Sequence, residues 1–385
     1  MKVKSFLPIN QIVLMMMNKQ ITSLDVKWIF SKTWLFSLFL GYGYVICLFG
    51  FEKLRKIGLL FSTTMFSFIT IDPFSIAFNI LNIFSILFYL HDFQNFWINF
   101  ISCNYLSYST RLFFVISIVI CSLSLFGYSL YCGHKIETNK ITLFSSKIQK
   151  EITFVHISDV HIGSRFVEHS KNIVDKILPL KPDFVVITGD LIDSPNVQKE
   201  ELVPFKELAK QCPIYMSTGN HDYFMEMNKL KPILDHSGIQ LLQNEITTNE
   251  TLNYSVIGTN DSKANKYIQT MNSLSNNCSK NTYNIILQHR PHGWKETCEN
   301  GMYDLMLSGH THVGQFAPFN KLVYLFFEKA YGLYTIQEGG NEMRLYTHPG
   351  TGAWGPHMRS AGPNEITIFH IKPCINEEQI EIQQN

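Results

Sequence analysis

The chain has 385 residues, a formal net charge of +1, a 46% hydrophobic content and only 16% charged residues. That length exceeds what a single hydrophobic core usually serves, and so apolar a composition excludes a disordered polyelectrolyte. The charge is unevenly placed, with 13 Lys and Arg against 5 Asp and Glu through Lys150 and 19 against 26 beyond it, so the first part suits anionic lipid and the acidic remainder argues against nucleic acid as a partner.

The first elements in chain order are apolar runs near the ~17 to 25 residues that cross ~30 Å of hydrocarbon. Thr33 to Gly50 and Leu112 to Tyr131 meet that length clearly, and Ile57 to Ile71 and Phe74 to Leu90 form a pair around Asp72-Pro73. Phe93 to Tyr108 is aromatic but rich in Asn and reads as interfacial. The "IVLMMM" run is too short, and lacks the small-residue site, for a cleaved signal peptide. Residues 1–150 therefore read as an all-α transmembrane region, a membrane anchor of about four helices. Lysines before the first span and after the last place the rest of the chain on the cytoplasmic side, although Lys53, Arg55 and Lys56 fall on the other face. No ionisable residue sits deep in a clear span, which favours an anchor over a channel or transporter.

From Ile152 short apolar runs alternate with helical stretches. Strands are expected at Ile152 to Ser158, Asp183 to Asp190, Pro213 to Ser217, Tyr254 to Gly258, Tyr283 to Gln288, Leu305 to Ser308, Met343 to Tyr346 and Glu365 to Ile371. Helices are expected at Glu168 to Leu178, closed by Pro179 and Pro182, and at Lys199 to Gln211. Strand, helix, strand repetition gives an α/β class in which parallel strands carry ligands at their carboxyl ends. The eight cysteines are scattered without a C-x-x-C pair, so they read as small buried hydrophobes.

Metal-ligand types collect where those runs stop. Asp159-Val160-His161 follows the first strand, Gly189-Asp190 the second and Gly219-Asn220-His221-Asp222 the third; Gln288-His289 and Gly309-His310-Thr311-His312 come later. Carboxylates, an amide and imidazoles gathered without a cation would leave unpaired acceptors and mutual repulsion. A mixed N/O set with no thiolate fits Mn, Fe, Zn or Co better than Ca or a structural zinc. In D-x-H and H-x-H both side chains point the same way in extended backbone and meet one cluster.

This series resembles the calcineurin-like metallophosphoesterases over about Ile152 to Lys372. "SDVHIG", "LSGHTHVGQ" and "HPGTGAWGPHMRSAGPNEI" are similar to its membrane-associated YkuE/YaeI-like branch. The resemblance implies a metallophosphoesterase-type β-sandwich flanked by helices over residues 151–373, followed by a polar tail at 374–385. It implies two divalent metal ions, Mn, Fe or Zn: Asp159, His161 and His312 on one, Asn220, His289 and His310 on the other, and Asp190 bridging. A metal-bridged hydroxide attacks phosphorus in line, His221 gives a proton to the leaving oxygen, and Asp222 orients its ring. The implied activity is hydrolysis of phosphodiester or pyrophosphate bonds. Its union with apolar helices points to a lipid-linked phosphate substrate, with membrane lipids as partners. The alternative substrate within the fold is UDP-2,3-diacylglucosamine, cleaved by a pyrophosphatase in lipid A synthesis. A non-catalytic metal-binding scaffold is disfavoured because such scaffolds typically lose the proton-donating histidine, which stands here as His221. Val313 replaces a glycine of most relatives and is expected to narrow the rim. Arg290 is expected to add a cation beside the site, Arg359 to touch phosphate, and His156 to be packed within its strand.

Overall fold

Strands buried on both faces read as continuous apolar runs. That is how β2 (Ile152–Ile157), β3 (Phe184–Thr188), β4 (Ile214–Ser217), β7 (Tyr254–Gly258), β8 (Tyr283–Leu287) and β9 (Leu305–Ser308) are built. The structure, a computed structural model, describes residues 108–163, 167–317 and 319–374. The chain divides into two units, Met1–Ser124 and Leu125–Asn385, and both sheets belong to the second.

Sheet one runs β1-β12-β2-β3-β4-β5, with β1 at Ile136–Ser145, β12 at Asn364–Pro373 and β5 at Ile239–Leu241. Strands β2 to β5 are parallel; β12 is antiparallel to β2 and parallel to β1. Sheet two runs β10-β11-β9-β8-β7-β6, adding β10 (Gly332–Glu338), β11 (Asn341–Thr347) and β6 (Glu245–Asn249). Its central strands are parallel, and antiparallel pairs close both edges.

The strand period of two decides the layering. On β2, Val155 and Ile157 join the apolar layer beneath helices α2 (Val167–Ile177), α3 (Val203–Ala209) and α4 (Met227–His236). Phe154 belongs instead to the layer between the sheets, where its ring stacks on Phe184 at 4.8 Å and Phe184 stacks on Tyr254 of sheet two at 4.3 Å. The outer face of sheet two is covered by α5 (Ala264–Ser275) and α6 (Trp294–Asn300), through Tyr267, Met271 and Cys298. Each fully buried large apolar side chain contributes roughly 1.5–3 kcal/mol. The apolar layers thus fix two sandwiched sheets whose parallel strands end on a common rim.

The α/β class and the sandwich are as expected, but several elements differ. Composition placed residues 1–150 in the anchor, yet β1 pairs with β12 along its whole length and belongs to the sheet. It mixes apolar residues with polar and charged ones, IETNKITLFS, so composition alone conceals it. The expected helix at Lys199 to Gln211 is a 3-10 turn at Lys199–Leu202 leading into the shorter α3. The strands β5, β6 and β10 and helices α4, α5 and α6 are additional.

The sequence spans at 33–50, 57–71 and 74–90, all but the last residue of 93–108, and the tail after Cys374 lie outside the described residues. Leu112 to Tyr131 falls within helix α1 (Tyr108–His134). Among the described residues no helix is long and apolar enough to cross a membrane. The last turn of α1 is capped by Asn364, whose amide donates to the carbonyls of Gly133 at 2.8 Å and Cys132 at 3.2 Å. Those are acceptors that a helix end otherwise leaves unpaired.

Candidate metal centre

Turns just past the strand ends bring the polar residues together, and they do so on an unusual backbone. Asp159, His161, Asp190, His310 and His312 all have φ between 48° and 71°, the left-handed region that non-glycine residues rarely enter. Such conformations cost of order 1–3 kcal/mol each and persist only where the surroundings impose them. Here the surroundings include the main chain: Asp159 and His161 donate their N–H groups to the carbonyls of Gly189 and Asp190, both at 3.1 Å. Gly309 is required by contact, since a Cβ there would stand 2.0 Å from Ser158 Oγ and 2.4 Å from Asp159 Oδ2.

The donors form three overlapping groups: Asp159, His161 and His312; His161, Asp190 and His221; Asp190, His289 and His310. In the first, His312 Nε2 lies 3.3 Å from Asp159 Oδ1 and 3.1 Å from His161 Nε2. In the last, His289 Nε2 lies 3.2 Å from both Asp190 Oδ2 and His310 Nδ1. His289 Nδ1 donates to the Thr188 carbonyl at 2.7 Å, which fixes the tautomer and leaves Nε2 with a free lone pair. Asn220 stands between Gly219 and His221, whose N–H groups donate to Asp222 and Asp190 at 2.7 Å each, and its own Oδ1 is buried and meets no hydrogen-bond donor. Burying an amide oxygen without a partner is unfavourable, and an oxygen-seeking cation removes the penalty.

Charge is arranged to the same end. Burial would raise the pKa of Asp159, but His312, His289 and His161 outweigh it and hold the carboxyl well below its usual range. Asp190 is likewise driven down, against burial, by His289, His221 and His161. Burial pushes His312 down to about 4 and holds His310 well below its ordinary range. His289 goes the other way: burial alone would lower its pKa, but Asp190 raises it to about 10, so a cation bound beside ionised carboxylates and neutral His310 and His312 would displace the His289 proton. The residues present therefore fit divalent cations.

His221 occupies the open side, its side chain 13% exposed, with Nε2 3.9 Å from Asp190 Oδ2. Here the structure corrects the expected role of Asp222. Both Asp222 oxygens are taken by main-chain N–H groups, of Asp190 at 2.8 Å, Gly219 at 2.7 Å and Ile192 at 3.1 Å, so this carboxylate shapes the turns and does not reach the ring. Asp193 holds the ring instead, accepting from His221 Nδ1 while its other oxygen lies 3.7 Å from His161 Nδ1. Burial alone would lower the pKa of His221; Asp193 and Asp190 reverse this and raise it to about 9. The sequence signal for Asp193 was present, a second acid three residues after Asp190 in "GDLID". A parallel bridge between Ile162 and Ile192 carries it to the site.

Three further expectations change. Arg359 is fully buried and donates to the carbonyls of Pro349 at 2.7 Å, Gly352 at 2.8 Å and His312 at 3.1 Å, and to Asn364 at 2.7 Å, so it supports the His312 loop and cannot touch phosphate. Arg290 is paired with Asp261 at 2.8 Å and has Nη1 3.3 Å from His310 Nε2, so its charge is largely neutralised. Val313 is 6% exposed with φ 53° and packs against Gly362, so its side chain is buried in the loop and is not an open part of the rim. His156 is buried in its strand and shares a hydrogen bond with Thr188 Oγ1 at 2.8 Å, as expected.

A family model described as calcineurin-like phosphoesterase matches residues 152–314. The chain is similar to an uncharacterised metallophosphoesterase of Campylobacter jejuni, 29% identical over 68% of this chain and 70% of that protein. It is also similar to the uncharacterised metallophosphoesterase YkuE of Bacillus subtilis, 29% identical over 64% of this chain and 90% of that protein. A third relative, named a transmembrane protein with metallophosphoesterase domain, from Danio rerio, is 31% identical over 57% of this chain, which spans about half, 53%, of its length.

Proposed function

Because the chain carries a calcineurin-like phosphoesterase domain, the fold of metal-dependent phosphoric ester hydrolases, we propose that it hydrolyses the phosphodiester or pyrophosphate bond of a lipid-linked substrate at a membrane. The observation that carries the hydrolytic reading is the convergence of Asp159, His161, His312, Asp190, His289 and His310 into overlapping groups linked through His161 and Asp190, together with the unpartnered buried Oδ1 of Asn220. Asp159, His161 and His312 would hold one divalent ion and Asn220, His289 and His310 a second, with Asp190 serving both; Mn, Fe and Zn suit these donors. Two such ions supply Lewis acidity toward a phosphoryl group and a nucleophile at neutral pH.

The chain's own residues supply the rest. His221 stands at the open edge with its Nδ1 side fixed by Asp193, so Nε2 is the atom from which a proton passes to a leaving oxygen. Asp193 acts through His221 and is a positioning residue. Asp222, bonded to three main-chain N–H groups, keeps the turns bearing Asp190 and His221 in register.

Apolar rings at the mouth support an amphiphilic substrate. Phe224, 54% exposed, packs on His221 at 4.7 Å and Trp354, 40% exposed, lies 6.3 Å from the same ring. The apolar runs before residue 132 and the transmembrane relative of Danio rerio support anchoring, with the domain on the cytoplasmic side by the lysine distribution. The test is incubation of the detergent-purified full chain, with Mn²⁺ or with chelator, in total lipid extract supplemented with nucleotide-linked lipids including UDP-2,3-diacylglucosamine. Mass spectrometry should show metal-dependent loss of one phosphate-linked lipid, abolished by His221→Ala with metal content retained. Turnover of water-soluble phosphodiesters alone would remove the lipid reading, and no turnover of any ester would leave a metal-binding scaffold.

A further inference from the structure

We propose that Phe319–Phe327 is an interfacial strap that enters the surface of an anionic bilayer beside the metal centre, a membrane contact separate from any anchor before Lys150. The segment reads "FNKLVYLFF" and folds as helix α7 (Phe319–Leu322) followed by a 3-10 turn, Val323–Leu325. Folding so short a segment into the core would bury its apolar residues, and the opposite occurs. Leu325 is 78% exposed and Phe326 77%, the two highest values among the exposed large apolar residues, with Leu322 at 47% and Tyr324 at 44%. Exposed apolar residues are ordinary singly, but four within five positions form a patch that needs an occupant.

Three observations select lipid as that occupant. Main-chain groups of the strap are paired locally: Asn320 donates to Phe316, just before it, at 3.0 Å, and Phe326 and Phe327 donate to Val323 within it at 3.1 and 2.9 Å. Main-chain groups paired within the segment are what a low-dielectric layer demands, whereas an open edge would invite another strand. The composition is aliphatic and aromatic with one exposed lysine, Lys321, inside the patch, while Lys329 at its end is paired with Glu328 at 3.2 Å. That mixture suits the headgroup level and matches anionic lipid in charge. The strap is also continuous with the centre: Phe327 meets His310 edge-on at 5.4 Å, and Thr311 Oγ1 donates to the Ala330 carbonyl at 2.6 Å. Immersing Leu325 and Phe326 therefore brings the mouth of the site to the lipid surface, whichever phosphoester is cleaved there.

The test needs no turnover, so it stands or falls apart from the proposed reaction. The full chain is reconstituted in vesicles of phosphatidylglycerol and phosphatidylcholine with Phe326→p-benzoylphenylalanine, and separately with the same photoreactive residue at Lys171, an exposed position on α2. Irradiation should give a phospholipid adduct at position 326 far above that at 171, and Lys321→Gln should lower it by about five-fold, the pull of one lysine toward an anionic surface. Equal yields at the two positions overturn the proposal. A covalent dimer at 326 in place of the adduct does so as well, because a second copy then covers the strap. An adduct indifferent to Lys321→Gln overturns the anionic surface as the partner.

Discussion

The two sheets contribute different chemistry to one centre. Sheet one supplies every carboxylate, Asp159, Asp190 and Asp193, together with His161, Asn220 and His221, whereas sheet two supplies only imidazoles, His289, His310 and His312. Two of the three donor groups need both sheets, since Asp159 and His161 need His312, and Asp190 needs His289 and His310, whereas His161, Asp190 and His221 meet on the rim of sheet one. A cation bound at the rim thus adds a tie between layers that also meet through apolar contacts such as Phe184 on Tyr254 and polar ones such as Lys147 with Asp304 at 2.8 Å. Carboxylates on one rim facing imidazoles on the other also offset the repulsion that either set would suffer alone.

The sharpest way to break that division is Asp190→Asn, because Asp190 belongs to two of the donor groups. Hydrolysis should fall by about 10³-fold or more, the several kcal/mol of charge stabilisation that metal supplies, and bound metal measured by atomic emission should fall with it. Full metal content in that variant would show that the remaining donors hold the ions without the Asp190 carboxylate. Asp193→Asn tests sheet one by itself: the ring of His221 loses its orienting carboxylate, and kcat should drop by roughly 10 to 100-fold with metal content and KM little changed. A loss in KM alone would place Asp193 in substrate binding.

Chelation measures the tie between the sheets directly. Removing metal held at ~100 times its Kd forfeits about 2.7 kcal/mol, which lowers Tm by roughly 5–10 °C in a domain of this size. A calorimetric Tm indifferent to chelator would mean that the other contacts join the sheets without metal. Smallest in effect is Val313→Gly. Relief of a left-handed β-branched residue, ~1–3 kcal/mol, opposes loss of a buried side chain, ~1.5–3 kcal/mol, so urea denaturation should move by no more than about 1 kcal/mol.

The donors of the centre were legible because each follows an apolar run, and strand ends of an α/β sheet share a rim. Hidden from the sequence were matters of direction. Asp222 is adjacent to His221 in the chain, yet a 3-10 turn at Asp222–Phe224 turns it toward the backbone, while Asp193 arrives from another loop. Arg359 in a glycine-rich loop has the residue type of a phosphate ligand, and only burial shows its donors to be occupied by carbonyls. β1 escaped because the composition of residues 1–150 masks one amphipathic edge strand at their end.

That edge strand bears on how the protein is made. Asn139 of β1 and Glu365 of β12 share a hydrogen bond across 226 residues of chain, and β12 is in turn the neighbour of β2. Contacts so distant in sequence are slow to form, since the loop must close before any pairing rewards it. During synthesis β1 and one side of β2 therefore wait, unpaired, until almost the whole domain has been translated. Among its folding steps, the last sheet register to lock should be the one that also caps α1 and, through Asn364 and Arg359, braces His312.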